Sequence, residues 1–419
     1  MAQIKQLAAT ALLALVSLGV GVLIVEASLR VLSSTVTGIR DDVVLVADES
    51  IGFKRAPDQN TRLDSSCFSV PVSINSSGFR DTEWTDDQPI VILGDSYTEA
   101  LQVGDAQNFP ALVEQLTGVS VANLGRSSFG TVGELATFKA YGKALKPKVV
   151  VLMFYADNDI NDNNCAISRG PNGTVTKPCG EVRDNTVSYP QNYYSTSGSH
   201  ALRSFVREHC KFCVLVKEFM ERSEVDRPET ISRERIAQFL PRGSAGERIE
   251  ESWQITQAAL ADLQAEVHSV GAELIVVTVP SVLEYAYDPT ASLKERFGGA
   301  GVPTDLVVGE PTRRLSELAA TLEIPFVPLQ GEFIKYRDTH ELREPLFSYR
   351  CDGHWNPLGH AVAAGSIVQL LATQSDSFAS MITSDAIVQA QKLLETSPLD
   401  FFGESSLEAI YHGGVYISE

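Results

Sequence analysis

The residues best suited to chemistry in this chain are a serine, a histidine and an aspartate. Ser96 stands in "PIVILGDSYTEALQ", residues 89 to 102, where an apolar run stops at Gly94 and a helical pattern begins. A serine hydroxyl is a weak nucleophile until a base within hydrogen-bond reach takes its proton, and that base needs an acceptor to hold its tautomer. The segment "CDGHWNPLGH", residues 351 to 360, carries such a pair. Asp352 and His354 lie two apart on an extended or turning stretch, so their side chains share a side. Small residues in "NLGRSSFGT", 123 to 131, and an asparagine amide in "YADNDIND", 155 to 162, would supply N–H donors for a developing oxyanion. Plainer roles compete. Ser96 could cap the helix that follows it, Asp95 could hold the turn, and Asp352, His354 and His360 could be three metal ligands.

These segments need a scaffold that brings them together, and the hydrophobic pattern describes one. Apolar strand candidates occur at 90–94, 119–124, 148–155, 272–280 and 324–329, with helical patterns at 105–117, 131–145, 247–270 and 310–322 and another after 356. Five continuous apolar strands separated by helices imply a parallel sheet covered on both faces. The expected fold is a flavodoxin-like three-layer α/β sandwich, five parallel strands in the order 2-1-3-4-5. Ligands of such sheets gather at the carboxyl ends of the strands, near the point where the order reverses. Ser96 and the polar segments at 123–131 and 155–162 all follow a carboxyl strand end. The stretch from about 160 to 247 leaves from the same end and reads as a cap over the site.

On the motifs "GDSYTEA", "NLGRSSFGT", "YADNDIND" and "CDGHWNPLGH", in that order, the chain resembles the SGNH (GDSL-type) hydrolase superfamily over roughly residues 74 to 375. The resemblance implies Ser96 as nucleophile, His354 as base and Asp352 as its orienting acid. It implies the oxyanion donors to be the main-chain N–H of Ser96, the main-chain N–H of Ser128 and the side-chain amide of Asn158. Ser128 stands where the family usually has a glycine, and the final Asp and His are spaced two apart where many members space them three. That spacing, with "VEASLRVL" and "INSSGFRD", resembles membrane-anchored bacterial members and the SGNH-like proteins of exopolysaccharide O-acetylation. The implied activity is hydrolysis of acyl esters, acetyl on an envelope or extracellular carbohydrate foremost, with no cofactor and no metal. O-acyl transfer to a polysaccharide hydroxyl, or a non-catalytic polysaccharide-binding or assembly role on the same fold, are the alternatives.

Residues 7 to 25 carry no charge over a length that, as a helix, spans a bilayer's hydrocarbon core. An uncleaved anchor is expected over 7–32, in preference to a cleaved signal. A strand-like extension at 33–88, the hydrolase domain at 89–375 and a C-terminal extension at 376–419 would follow. A net charge of −19 with no basic patch argues against nucleic acid and against an anionic membrane surface as partners. Six cysteines fit an extracytoplasmic domain: Cys165 and Cys179 bracket a polar loop, Cys67 and Cys351 could pair, and Cys210 and Cys213 could form a third bridge, a redox motif or half a metal site.

Overall fold

Short alternating segments need partners before they are stable as strands. In the computed structural model the N-terminal ones find them locally. β1 (Leu45–Asp48) pairs antiparallel with β2 (Gly52–Arg55), and β3 (Asn60–Asp64) pairs antiparallel with β4 (Phe68–Ser73). The structure describes residues 43–168, 175–190, 236–289, 291–292, 305–342, 347–349, 351–402 and 416–417, with scattered positions between 6 and 28. Most of the expected anchor at 7–32, much of the expected cap, and Cys210 with Cys213 lie outside the described residues. Among the described residues no helix is long and apolar enough to cross a membrane. The chain divides into two compact units, Met1–Gly38 with Ser195–Thr230, and Ile39–Tyr194 with Ile231–Glu419. The site is built by the second.

The main sheet follows from the valine- and isoleucine-rich runs. Its strands are β5 (Ile90–Gly94), β6 (Val121–Asn123), β7 (Val149–Tyr155), β10 (Glu273–Val279) and β11 (Phe326–Pro328), after a small hairpin of β8 (Glu181–Arg183) and β9 (Thr186–Ser188). They are parallel and lie side by side as β11-β10-β7-β5-β6. Counting these five alone, the order is 2-1-3-4-5. The strands before β5 stay outside this sheet, β3 and β4 joining β12 (Tyr416–Ile417) in a second one.

Alternation along the strands sends side chains to two separate cores. Ile90, Ile92, Val149, Val151, Met153, Ile275 and Val277 face one side; Val91, Leu93, Val150, Leu152, Leu274 and Val276 face the other. Nine helices are needed to follow the covering and the site: α1 (Ser96–Glu99), α2 (Phe109–Thr117), α3 (Thr131–Ala140), α4 (Asp159–Asp162), α5 (Glu247–His268), α6 (Glu310–Thr321), α7 (Gln330–Thr339), α8 (Pro357–Gln374) and α9 (Ser384–Glu395). α2, α7 and α8 cover the first face, and α3, α5 and α6 the second. Residues 376–402 share the first core, with Phe378 and Ala390 buried in it, so this part of the C-terminal stretch belongs to the same packed unit. Ile51 and Phe79 of the N-terminal stretch are likewise buried in the second core.

Candidate active site

The turn from β5 into α1 sets the position of Ser96. A Cβ at Gly94 would collide with Thr98 Oγ1 and lie 3.0 Å from Met153 Cβ, so only glycine lets the chain turn this closely against β7. Helix capping is done by the neighbour: Asp95 is the N-cap, its Oδ1 accepting from Tyr97 N–H at 2.9 Å. The Ser96 hydroxyl is therefore not spent on the cap. It lies 2.8 Å from His354 Nε2 and 3.3 Å from Asp95 Oδ2.

His354 reaches Ser96 from a turn, and the turn depends on Gly353 with φ +88, a left-handed value that costs glycine little. Asp352 and His354 thus come together across a bend. Asp352 Oδ1 holds the His354 ring at Nδ1 and accepts from its main-chain N–H at 3.2 Å. The turn is fixed on several sides. Tyr349 N–H donates to His354 C=O at 2.9 Å, the Tyr97 hydroxyl donates to Gly353 C=O at 3.2 Å, and Cys67 is disulfide-bonded to Cys351. The side chains of His354 and Asp352 remain 26% and 29% exposed, which leaves a path for substrate.

Two further strand ends meet the turn that carries Ser96, Arg126 N–H donating to Gly94 C=O and Asn158 reaching Asp95. The Asn158 amide Nδ2 donates to Asp95 Oδ2 at 3.3 Å, leaving its second N–H for another acceptor. After β6, Ser128 has φ +69, a left-handed conformation that favours glycine and costs other residues roughly 1–3 kcal/mol. Ser128 thus holds a conformation that glycine adopts most easily. Ser128 is exposed, and its carbonyl accepts from Lys177 Nζ at 2.5 Å.

His360, the third member of the alternative metal set, is elsewhere. It is buried in α8, its Nδ1 accepts from Phe109 N–H at 3.3 Å, and burial holds it neutral, well below the ordinary histidine range. Among the described residues no group of three or more His, Cys, Asp or Glu side chains could hold a metal ion. Trp355 and Phe129 are fully buried core residues.

Charge around the serine is graded by burial. Burial pushes the Asp95 carboxyl up to about 6, against the Tyr97 hydrogen bond and the nearby His354, which pull it down. At Asp352 burial also raises the value, but the hydrogen bond and charge of His354 outweigh it, so the carboxyl stays below its ordinary value. The imidazole is thus held by an acid that is ionised across neutral pH.

Several residues that shape the site were not singled out from sequence. Tyr97 packs its ring, tilted or edge-on, 5.0 Å from those of His354 and Trp355 and 4.5 Å from that of Tyr155, and so props the turn at Gly353. Lys177 bridges Ser128 C=O to Asp162 Oδ1 at 2.6 Å. Glu99 is fully buried among Arg55, Arg126 and Ser127. A carboxylate three residues after Ser96, followed later by an arginine inside "NLGRSSFGT", was the available signal for this last group.

No family model matches the chain, and no curated protein does. Among solved structures, similar chains include LAE5, an alpha/beta hydrolase enzyme from the metagenome of Lake Arreo, at 14% identity over 70% of this chain and 96% of that one, with a TM-score of 0.34. TesA is similar at 13% identity over 67% of this chain and 97% of that one, TM-score 0.32. A catalytic mutant of Axe2, an acetylxylan esterase from Geobacillus stearothermophilus, is similar at 14% identity over 72% of this chain and the whole of that one, TM-score 0.36. Likenesses this distant carry neither substrate nor mechanism across to this chain.

Proposed function

We propose that this protein is an SGNH-type serine esterase in which Ser96 attacks an acyl carbonyl. His354 Nε2 takes the Oγ proton as the Oγ–carbon bond forms and the carbonyl electron pair moves onto oxygen. The imidazolium is stabilised by Asp352 at Nδ1, and the oxyanion by the N–H groups of Ser96 and Ser128 and the Asn158 amide. Collapse expels the alkoxide, which takes the proton back from Nε2. Water, activated by the same imidazole, then releases the acid from the acyl-enzyme. The observation that carries this reading is the 2.8 Å contact between Ser96 Oγ and His354 Nε2, with Asp352 on the far ring nitrogen. Every protein group in this scheme belongs to this chain, and the water comes from solvent.

We further infer that the domain works outside the cytoplasm, anchored by the segment at 7–32, on acyl esters of an envelope or extracellular carbohydrate, acetyl first among them. The Cys67–Cys351 and Cys165–Cys179 disulfides support the oxidising compartment. The exposed flanks of His354 and Asp352 suit a bulky alcohol.

Fluorophosphonate labelling with mass spectrometry of the modified peptide tests the assignment. Label is expected on Ser96 in the wild-type chain and absent from His354→Ala. A well-folded chain that takes no label, or takes it on another serine, would overturn the mechanism. Product analysis with an added oligosaccharide acceptor separates hydrolysis from acyl transfer.

A further inference from the structure

The buried cluster around Glu99 lies under the loop that carries Ser128. Glu99 is the last residue of α1, fully buried, and its carboxylate is met by donors from two other parts of the chain. From β2, Arg55 reaches it with two bonds, Nε to Oε1 at 2.7 Å and Nη2 to Oε2 at 3.0 Å. From the loop after β6 come Arg126 Nη1, the Ser127 hydroxyl and, at 3.0 Å, the Ser127 main-chain N–H. Burial alone would raise this carboxyl, but the Arg126 and Arg55 charges outweigh it and hold it far below the ordinary range. The carboxyl is therefore ionised at neutral pH, and its hydrogen bonds are charge-assisted.

The contact with Ser127 has a geometric consequence. A residue held at both its N–H and its hydroxyl has little freedom about its own backbone, and the peptide plane that follows it carries the Ser128 N–H. The other side of that residue is also tied: Lys177 Nζ holds the Ser128 carbonyl, and Phe129 N–H donates to Arg126 C=O at 3.1 Å. Arg126 N–H in turn donates to Gly94 C=O at 2.8 Å, joining the loop to the nucleophile turn itself. The unusual φ of Ser128 persists because its neighbours are held.

We propose that Glu99 is a positioning residue for the oxyanion site: through Ser127 it sets the orientation of the Ser128 N–H relative to Ser96, three residues before it in the same turn. This rests on the esterase reading above. Glu99 touches no reacting atom, and its effect is confined to how well the donor meets an oxygen that becomes negative only in the transition state.

The test is steady-state kinetics of the full chain with p-nitrophenyl acetate, beside inhibition by an alkyl trifluoromethyl ketone, which forms a tetrahedral oxyanion on an active serine. Glu99→Gln keeps the size of the side chain but removes its charge and half its accepting capacity. It is expected to lower kcat about tenfold or more, with KM within about twofold, and to weaken ketone binding by a similar factor. The pH profile of kcat/KM should keep its shape, since His354 and Asp352 are untouched. Ser127→Ala removes only the hydroxyl donor and is expected to show the same split at roughly a third of the size on a logarithmic scale. A folded Glu99→Gln protein with wild-type kcat and ketone affinity, or with its loss wholly in KM, overturns the proposal. If Glu99→Gln does not fold, unchanged kcat and ketone affinity in Ser127→Ala overturns it. A wild-type chain that neither hydrolyses ester nor takes fluorophosphonate overturns the esterase reading and this role together, so the two failures are told apart by the wild type alone.

Discussion

In the proposed mechanism the Asn158 amide serves two anions at different times. One N–H is held on Asp95 Oδ2 at 3.3 Å, which fixes the amide plane, and the proposal gives the other to the oxyanion. Preorganisation of this kind is where oxyanion donors gain their effect, because no reorientation is required as charge develops. Replacing Asn158 by Ala should therefore lower kcat by roughly 10²–10³-fold while leaving KM within a few-fold, as read by steady-state ester hydrolysis. A loss confined to KM would mean that Asn158 binds the ground state and takes no part in the oxyanion site. Asp95 was read in sequence as a turn holder and does hold the turn, capping α1. The same carboxylate also orients Asn158, a role that local sequence could not express.

Among the elements, the turn that carries Asp352 and His354 is the one most dependent on distant support. Its preceding residue, Cys351, is joined by a disulfide to Cys67, next to the start of β4, across a sequence separation of 284. Phe68 packs its ring 5.1 Å from that of Tyr349 at the same junction. A crosslink closing so long a loop stabilises a fold by roughly 2–5 kcal/mol, mainly by restricting the unfolded chain. Cys67→Ala combined with Cys351→Ala is expected to lower the urea midpoint accordingly. It should also reduce kcat at temperatures where the protein remains folded, because His354 loses part of its anchorage. Removing Cys165 and Cys179, whose sequence separation is 14, is expected to cost less stability, since the loop closed is short. Full activity in the folded double variant at 67 and 351 would show that Tyr97 and the main-chain bonds of Tyr349 hold the turn unaided.

For the molecule as a whole, buried carboxyl groups dominate the response to pH. Burial raises Asp81 and Glu284 to about 7 and Asp95 to about 6. The unfolded chain releases these protons near pH 4, so between about pH 4 and 7 the folded state binds more protons than the unfolded one. Stability must then fall as pH rises through that window and level off above it. Glu99 acts in the opposite sense. Its value is lowered, so its contribution is complete above the ordinary glutamate range and is lost as pH falls below it. The net charge of −19 adds self-repulsion at neutral pH. Stability is expected to be greatest at about pH 4–5, with a higher urea midpoint at pH 5 than at pH 8; an equal or higher midpoint at pH 8 would contradict the raised carboxyl groups.

Much of the architecture was legible in the sequence because it is local. The strand-like runs at 90–94 and 148–155, the glycine before Ser96 and the pairing of Asp352 with His354 each express themselves within a few residues, through side-chain alternation, turn chemistry and reach. The expected order of the five strands, 2-1-3-4-5, is also the observed one, since right-handed, uncrossed connections between parallel strands leave few alternatives. Tertiary structure decided what depends on segments far apart in the chain meeting at bonding distance. The turn at Gly353 brings His354 to Ser96, and Glu99 gathers Arg55, Arg126 and Ser127 beneath the loop that carries Ser128. Lys177 reaches Ser128, and Asn158 rests on Asp95. The physical reason is range: periodicity and turn preference act over one or two turns of chain, whereas a buried ion pair or a 2.8 Å hydrogen bond exists only after the sheet has brought its strand ends together.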